Sequence, residues 1–232
     1  KKAVEYFRVN QHRLQLGNIG LGIKKKDGSL VTIGDIKNIR QQLDLWTGII
    51  TSSFTVENIA VKVVSACHQS QDAVSFKIES PLLSSNQISI RIRIPFPNGQ
   101  WKDVGGNWNN NTSFSSFEQY TDSGGHISVD LDSVSYWLRL KWNIGAKLQR
   151  ADSNYYTLNP KATKSAFEFN CLFESLSGYH AMPFVVPSFT KTHSSSIADW
   201  KKFWLSGGAI DFSATKDKRA FEIERRTILS QY

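Results

Sequence analysis

The sequence predicts a mainly β protein, a large antiparallel β-sandwich followed by two C-terminal helices. Three observations predict it. Ile88, Ile90, Ile92 and Ile94 alternate strictly with Ser89, Arg91 and Arg93, as a strand with one buried face requires. Comparable short runs recur from Leu14 to Phe173, separated by polar turns and with almost no helical period. Beyond Pro187 the apolar residues shift to helical spacing, so strands come first and helices second.

In chain order, Leu14, Leu16, Ile19, Leu21 and Ile23 predict a first strand, with a bulge where the register breaks at Gly17-Asn18. Asp27-Gly28 turns the chain, and Lys24-Lys25-Lys26 beside it reads as a solvated hairpin tip. Leu43, Leu45 and Trp46 open a second strand that continues from Gly48 to Val56. Glu57-Asn58 then makes a hairpin with the run from Ile59. Val74, Phe76 and Ile78 share a face of the next strand. The Ile88–Ile94 strand ends at Pro95 and Pro97. His126–Leu131, Tyr136–Trp142, Ala146–Arg150 and Ala166–Phe173 complete the strands. Outward Arg and Lys residues are expected to protect sheet edges from pairing with other chains.

Ser196 with Asp199 matches a capping box, which predicts a helix start there and a stop at Gly207-Gly208. Trp200, Phe203 and Trp204 fall on one face of it and read as core. A second helix is expected over Asp217–Tyr232, with Ala220, Ile223, Ile228 and Leu229 toward a buried face. No Gly, Asn or Pro stop follows it, so the chain is expected to be part of a longer protein.

Hydrophobic content of 40% and charged content of 21% belong to a globular chain. No apolar run reaches the ~18 residues of a membrane span. The net charge of +8 permits nucleic acid or acidic surfaces as partners. The charge is scattered, however, and no zinc-finger spacing, RNA-binding strand signature or long basic helix accompanies it. Cys67 and Cys171 both stand in apolar strand-like runs and are expected to be buried free thiols, with a bridge between them in an oxidising compartment as the alternative that sequence leaves open.

Catalytic constellations are poor. Asp130 and Asp132 alternate on a strand and so share a face, as paired carboxylates of a glycosidase could, but an exposed strand face accounts for them. Glu168 and Glu174 are expected to face solvent. His12, His68, His126, His180 and His193 show no metal-ligand spacing, and Cys67 and His68 point to opposite faces as strand neighbours. Neither a catalytic residue nor a metal or other cofactor is assigned. The most unusual segment is the loop NGQWKDVGGNWNNNTS, Asn98 to Ser113. A tryptophan face packs on a sugar ring while Asn and Asp bind its hydroxyls, so Trp101, Asp103, Asn107 and Trp108 are candidate sugar contacts. The same tryptophans folded back on the sheet are the alternative.

Four stretches together carry a resemblance: QHRLQLGNIGL (11–21), LDLWTGIITSSFTVENIAVKVVSACHQSQDAVSFKIES (43–80), DWKKFWLSGGAIDFS (199–213) and FEIERRTILSQY (221–232). They resemble bacterial glycoside hydrolases related to family 65, the six-hairpin glycosidases. The resemblance implies a β-sandwich of galactose-mutarotase-like, super-sandwich type over residues 1–187, with early strands missing. It implies a helical linker and the start of a helical catalytic barrel over 188–232. A barrel Glu acting as general acid, with inversion, would then lie downstream of Tyr232. The partners implied are that barrel and an oligo- or polysaccharide, with no nucleic acid and no membrane. The implied location, by analogy with polysaccharide-degrading bacteria, is the periplasm or cell exterior. A stand-alone carbohydrate-binding module and a basic nucleic-acid-binding β protein are the competing readings.

Overall fold

The computed structural model describes residues 3–4, 15–97, 106–108, 112–131, 134–161, 165–176 and 185–232. These form two antiparallel sheets and two C-terminal helices. The strands are β1 (Asn18–Ile23), β2 (Ile36–Asp44), β3 (Ile49–Val56), β4 (Ile59–Cys67), β5 (Ala73–Glu79), β6 (Ile88–Arg93), β7 (Ser115–Thr121), β8 (Gly124–Leu131), β9 (Val134–Trp142), β10 (Ala146–Asp152), β11 (Tyr155–Pro160) and β12 (Ala166–Ser175). The smaller sheet has the order β1-β6-β11-β10 and the larger β2-β3-β4-β5-β12-β9-β8-β7.

The isoleucine alternation of β6 places Ile88, Ile90, Ile92 and Ile94 in the core between the sheets. From the larger sheet, Val61, Ile78, Phe167, Phe169, Leu138, Leu140 and Ile127 belong to the same core. Each large apolar side chain taken fully out of water there stabilises the fold by about 1.5–3 kcal/mol. The four-stranded sheet is too narrow to cover eight strands. From Lys37 to Asp44, β2 is exposed along its whole length.

The outer face of β4, β5 and β12 is covered by helix α1 (Phe189–Phe203). Small polar side chains let it lie close. Thr192 and Ser196 are fully buried; Thr192 Oγ1 accepts from Ser75 Oγ at 2.8 Å, and Ser196 Oγ donates to the Thr47 carbonyl at 2.7 Å. Burial on both faces explains why Ser75 is inaccessible in a strand whose polar positions would otherwise face water. The helix ends in a wide turn, Trp204–Gly208, in which Ala209 N–H reaches the Trp204 carbonyl and Gly207 takes φ +116°. Trp204 is buried, donates to the Leu45 carbonyl at 2.6 Å and lies 6.1 Å from Trp46. Trp200 stacks at 4.4 Å on Tyr232 at the end of helix α2 (Ala220–Gln231).

Several expectations are corrected. β1 begins at Asn18, and Gln15, Leu16 and Gly17 are not strand; Leu14 lies outside the described residues. Leu43 belongs to β2, which ends at Asp44, and Leu45 and Trp46 belong to the tight turn into β3. β2, β7 and β11 went unpredicted: β2 and β7 are polar edge strands with no clean alternation, and β11 (YYTLNP) is short. Arg91 and Arg93 protect no edge, because β6 is an inner strand. Helix α1 starts at Phe189 with Ser188 as its cap, accepting from Lys191 N–H, so the Ser196–Asp199 capping box is not used. Burial of Thr192 and Ser196 on the sheet outweighs the poor helix propensity of THSSS. Both cysteines are free, Cys171 buried but Cys67 exposed. They face the same way, each opposite Val74, and are two strands apart at about 9.5 Å, beyond the ~7 Å reach of a disulfide.

Candidate functional site

The Asn98–Ser113 loop leaves the sheet at Ile94, whose N–H bonds the Asn154 carbonyl at 2.9 Å. Its returning limb is pinned by Phe96 and Asn107, which exchange backbone hydrogen bonds of 3.2 and 2.7 Å. Gly106 makes this close return possible, since a Cβ there would meet Pro95 Cβ at 2.4 Å. Asn154, in the turn between β10 and β11, ties down the segment that follows. Its Oδ1 accepts from Ser115 Oγ at 2.8 Å and Phe114 N–H at 3.2 Å, and its Nδ2 donates to the Thr112 carbonyl at 2.8 Å. Ser115 Oγ also meets Tyr156 OH at 2.7 Å, and burial pushes that phenol's pKa up. Arg150 adds bonds to Ser113 Oγ, the Ser153 carbonyl and the Ser115 carbonyl. Asn107 and Trp108 thus stand on a well-anchored end of the sandwich.

Of the four candidate sugar contacts, Trp101 and Asp103 lie outside the described residues. Asn107 is exposed, Trp108 is half-buried, and the two line one small cleft with Arg93, Asp152, Ser153, Asn154 and Tyr155. The Arg93 guanidinium sits 5.1 Å from the Trp108 ring centre and 5.8 Å from that of Tyr155, and bonds the Trp108 carbonyl at 3.5 Å. The cleft holds about 50 Å³, room for a few waters and far below the ~300 Å³ of a small-molecule pocket. It can receive a hydroxyl or a carboxylate, not a whole sugar ring. Arg93, Tyr155, Asp152 and Asn154 were not singled out from sequence. The one available signal was Arg93 on the polar side of the isoleucine strand, which names no ligand.

The other candidates separate. Asp130 is exposed and Asp132 lies outside the described residues. Glu168 is half-buried. Glu174, expected in solvent, keeps a side chain only 13% exposed and pairs with Arg139, which lies 4.3 Å over the Trp137 ring. The Nδ1 of His68 accepts from Ser70 N–H. Among the described residues no group of three His, Cys, Asp or Glu could hold a metal ion. An apolar cavity of about 200 Å³ lies near the open edge of the sandwich, lined by Ile19, Leu21, Val63, Phe76, Ile78 and Phe169 together with Ser52 and Ser65.

No family model and no curated protein matches this chain. Among solved structures it is similar to one described as "Putative kojibiose phosphorylase from human microbiome", at 10% identity and a TM-score of 0.46. The similarity covers 91% of this chain and 27% of that one, so the chain spans about a quarter of that protein's length.

Proposed function

We propose that this chain is the non-catalytic β-sandwich unit of a carbohydrate-active hydrolase, periplasmic or extracellular, that packs on a helical catalytic barrel and lends its Asn98–Ser113 loop to the rim of the active site. The observation that carries the reading is the anchored cluster of Trp108, Asn107, Arg93 and Tyr155 at one end of the sandwich. Its rings and polar groups suit the edge of a sugar, and its small volume suits a lent contact rather than a complete site. The sequence resemblance supplies the class of enzyme. The Trp200–Trp204 aromatic cluster is the linker side of this arrangement. Blotting the source cell with an antibody against this chain tests the first half: a polypeptide several times heavier than 26.2 kDa is expected, and one of that mass rejects the parent enzyme. In the full enzyme, replacing Trp101 and Trp108 together with Ala should weaken substrate affinity; an unchanged affinity removes the loop's role. A carbohydrate-binding module that acts alone is the second reading, favoured by the same cluster if the native mass is small.

A further inference from the structure

The outer face of the four-stranded sheet carries a second polar surface, next to the Trp108 cleft. Residues directly opposite one another across a sheet share a face, so the register defines it. Arg93 and Tyr155 stand in one row; Gly20, Arg91, Thr157 and Gln149 form the next; Ser89 opposes Gly22, and Asn159 opposes Lys147. A groove of about 620 Å³ takes its polar side from Ser89, Arg91, Gln149, Thr157 and Asn159 of these rows and its apolar side, toward β1, from Ile23, Val31, Ile33, Ile36 and Phe54. That volume falls within the ~300–1,000 Å³ range of ligand sites. Gly22 helps make the space: a Cβ there would meet Ser89 Oγ at 2.7 Å.

Arg91 is the unusual residue. The guanidinium of Arg139 is paired with Glu174, and that of Arg150 is held by three oxygens. Arg91 is exposed and, among the described residues, takes part in no ion pair and no side-chain hydrogen bond. Lys24 lines the same groove, and no carboxylate does among the described residues; Asp152 lines the neighbouring cleft with Arg93. An unpaired planar fork among hydroxyl and amide side chains is suited to a carboxylate carried on a polyhydroxylated ligand.

We propose that this face binds a uronic-acid polysaccharide, with Arg91 taking the carboxylate in two parallel hydrogen bonds and Ser89, Thr157, Asn159 and Gln149 taking ring hydroxyls. The choice of a glycan rests on the carbohydrate reading above; the choice of an acidic one rests on Arg91 and Lys24 alone. Affinity electrophoresis of the chain tests it, with polygalacturonate, neutral dextran, dextran sulfate and single-stranded DNA as probes. Polygalacturonate should retard the chain most, and Arg91→Gln should weaken that binding about tenfold or more while melting at the same temperature. Thr157→Val, which removes a hydroxyl from the groove without changing a charge or the volume, should weaken it as well. No retardation by polygalacturonate, equal or stronger retardation by dextran sulfate or DNA, or full binding by Arg91→Gln overturns the proposal. Binding of dextran that Arg91→Gln leaves intact and Trp108→Ala abolishes would overturn it too, while leaving the carbohydrate reading standing.

Discussion

At the scale of single residues, polar groups with named partners hold this sandwich in register. Asn154 uses both ends of its amide to join Thr112, Phe114 and Ser115, which no sequence pattern signals: an Asn in a turn is ordinary, and its partners are about forty positions away. His126 is a case with a measurable consequence. It lies on the outer face of β8 between Tyr120 and Trp137, and burial holds its pKa below the ordinary 6.5 against the pull of Glu118. The unfolded chain therefore takes up this proton more readily than the folded one. Stability from the neutral imidazole is present above pH 6.5 and is lost as the pH falls toward the folded pKa. The urea midpoint should drop across that window, and His126→Gln should flatten the drop. A profile identical in the two proteins would show that His126 does not contribute.

At the scale of elements, the contact of helix α1 with the β2–β3 turn depends on one glycine. Gly48 takes φ +67°, and a Cβ there would lie 2.2 Å from Trp200 Nε1 and 2.9 Å from Ser196 Oγ. Gly48→Ala should cost about 2–4 kcal/mol, the strain of the left-handed backbone adding to the clash. Urea unfolding measures it, and a loss under about 0.5 kcal/mol, the size of an ordinary surface substitution, would show that the helix is free to shift. The strong alternation of β6 was legible because each residue type reports its own side of the strand, whereas in β12 it breaks at Asn170, a polar residue buried beside Cys171 and Leu172. β2 and β7 were not, because edge strands are held by backbone bonds along one side and demand little of their side chains. The start of α1 was misplaced for a related reason: Thr192 and Ser196 are buried where a sequence pattern assigns solvent.

At the scale of the whole molecule, α2 presents apolar surface to water. Phe221 is 73% exposed, Ile223 53% and Leu229 52%, while the helix is held through Tyr232 on Trp200 and through Glu224, which accepts from Phe212 N–H. A patch of this kind promotes association. The isolated chain should sediment as a concentration-dependent oligomer, and Phe221→Glu with Leu229→Glu should shift it toward monomer. A parent chain that stays monomeric at high concentration would overturn this. The sequence by itself determined the class of the fold, the isoleucine core face, the helix stop at Gly207 and the apolar residues of α2, all set by local periodicity and backbone preference. The tertiary structure alone decided that β6 is an inner strand, that Arg93 lies over Trp108, that Arg91 opens on a groove bordered by Gly22, and that the cysteines cannot bridge. Those facts depend on which strands pair and in what register, and pairing is a contest among distant segments that no local pattern encodes.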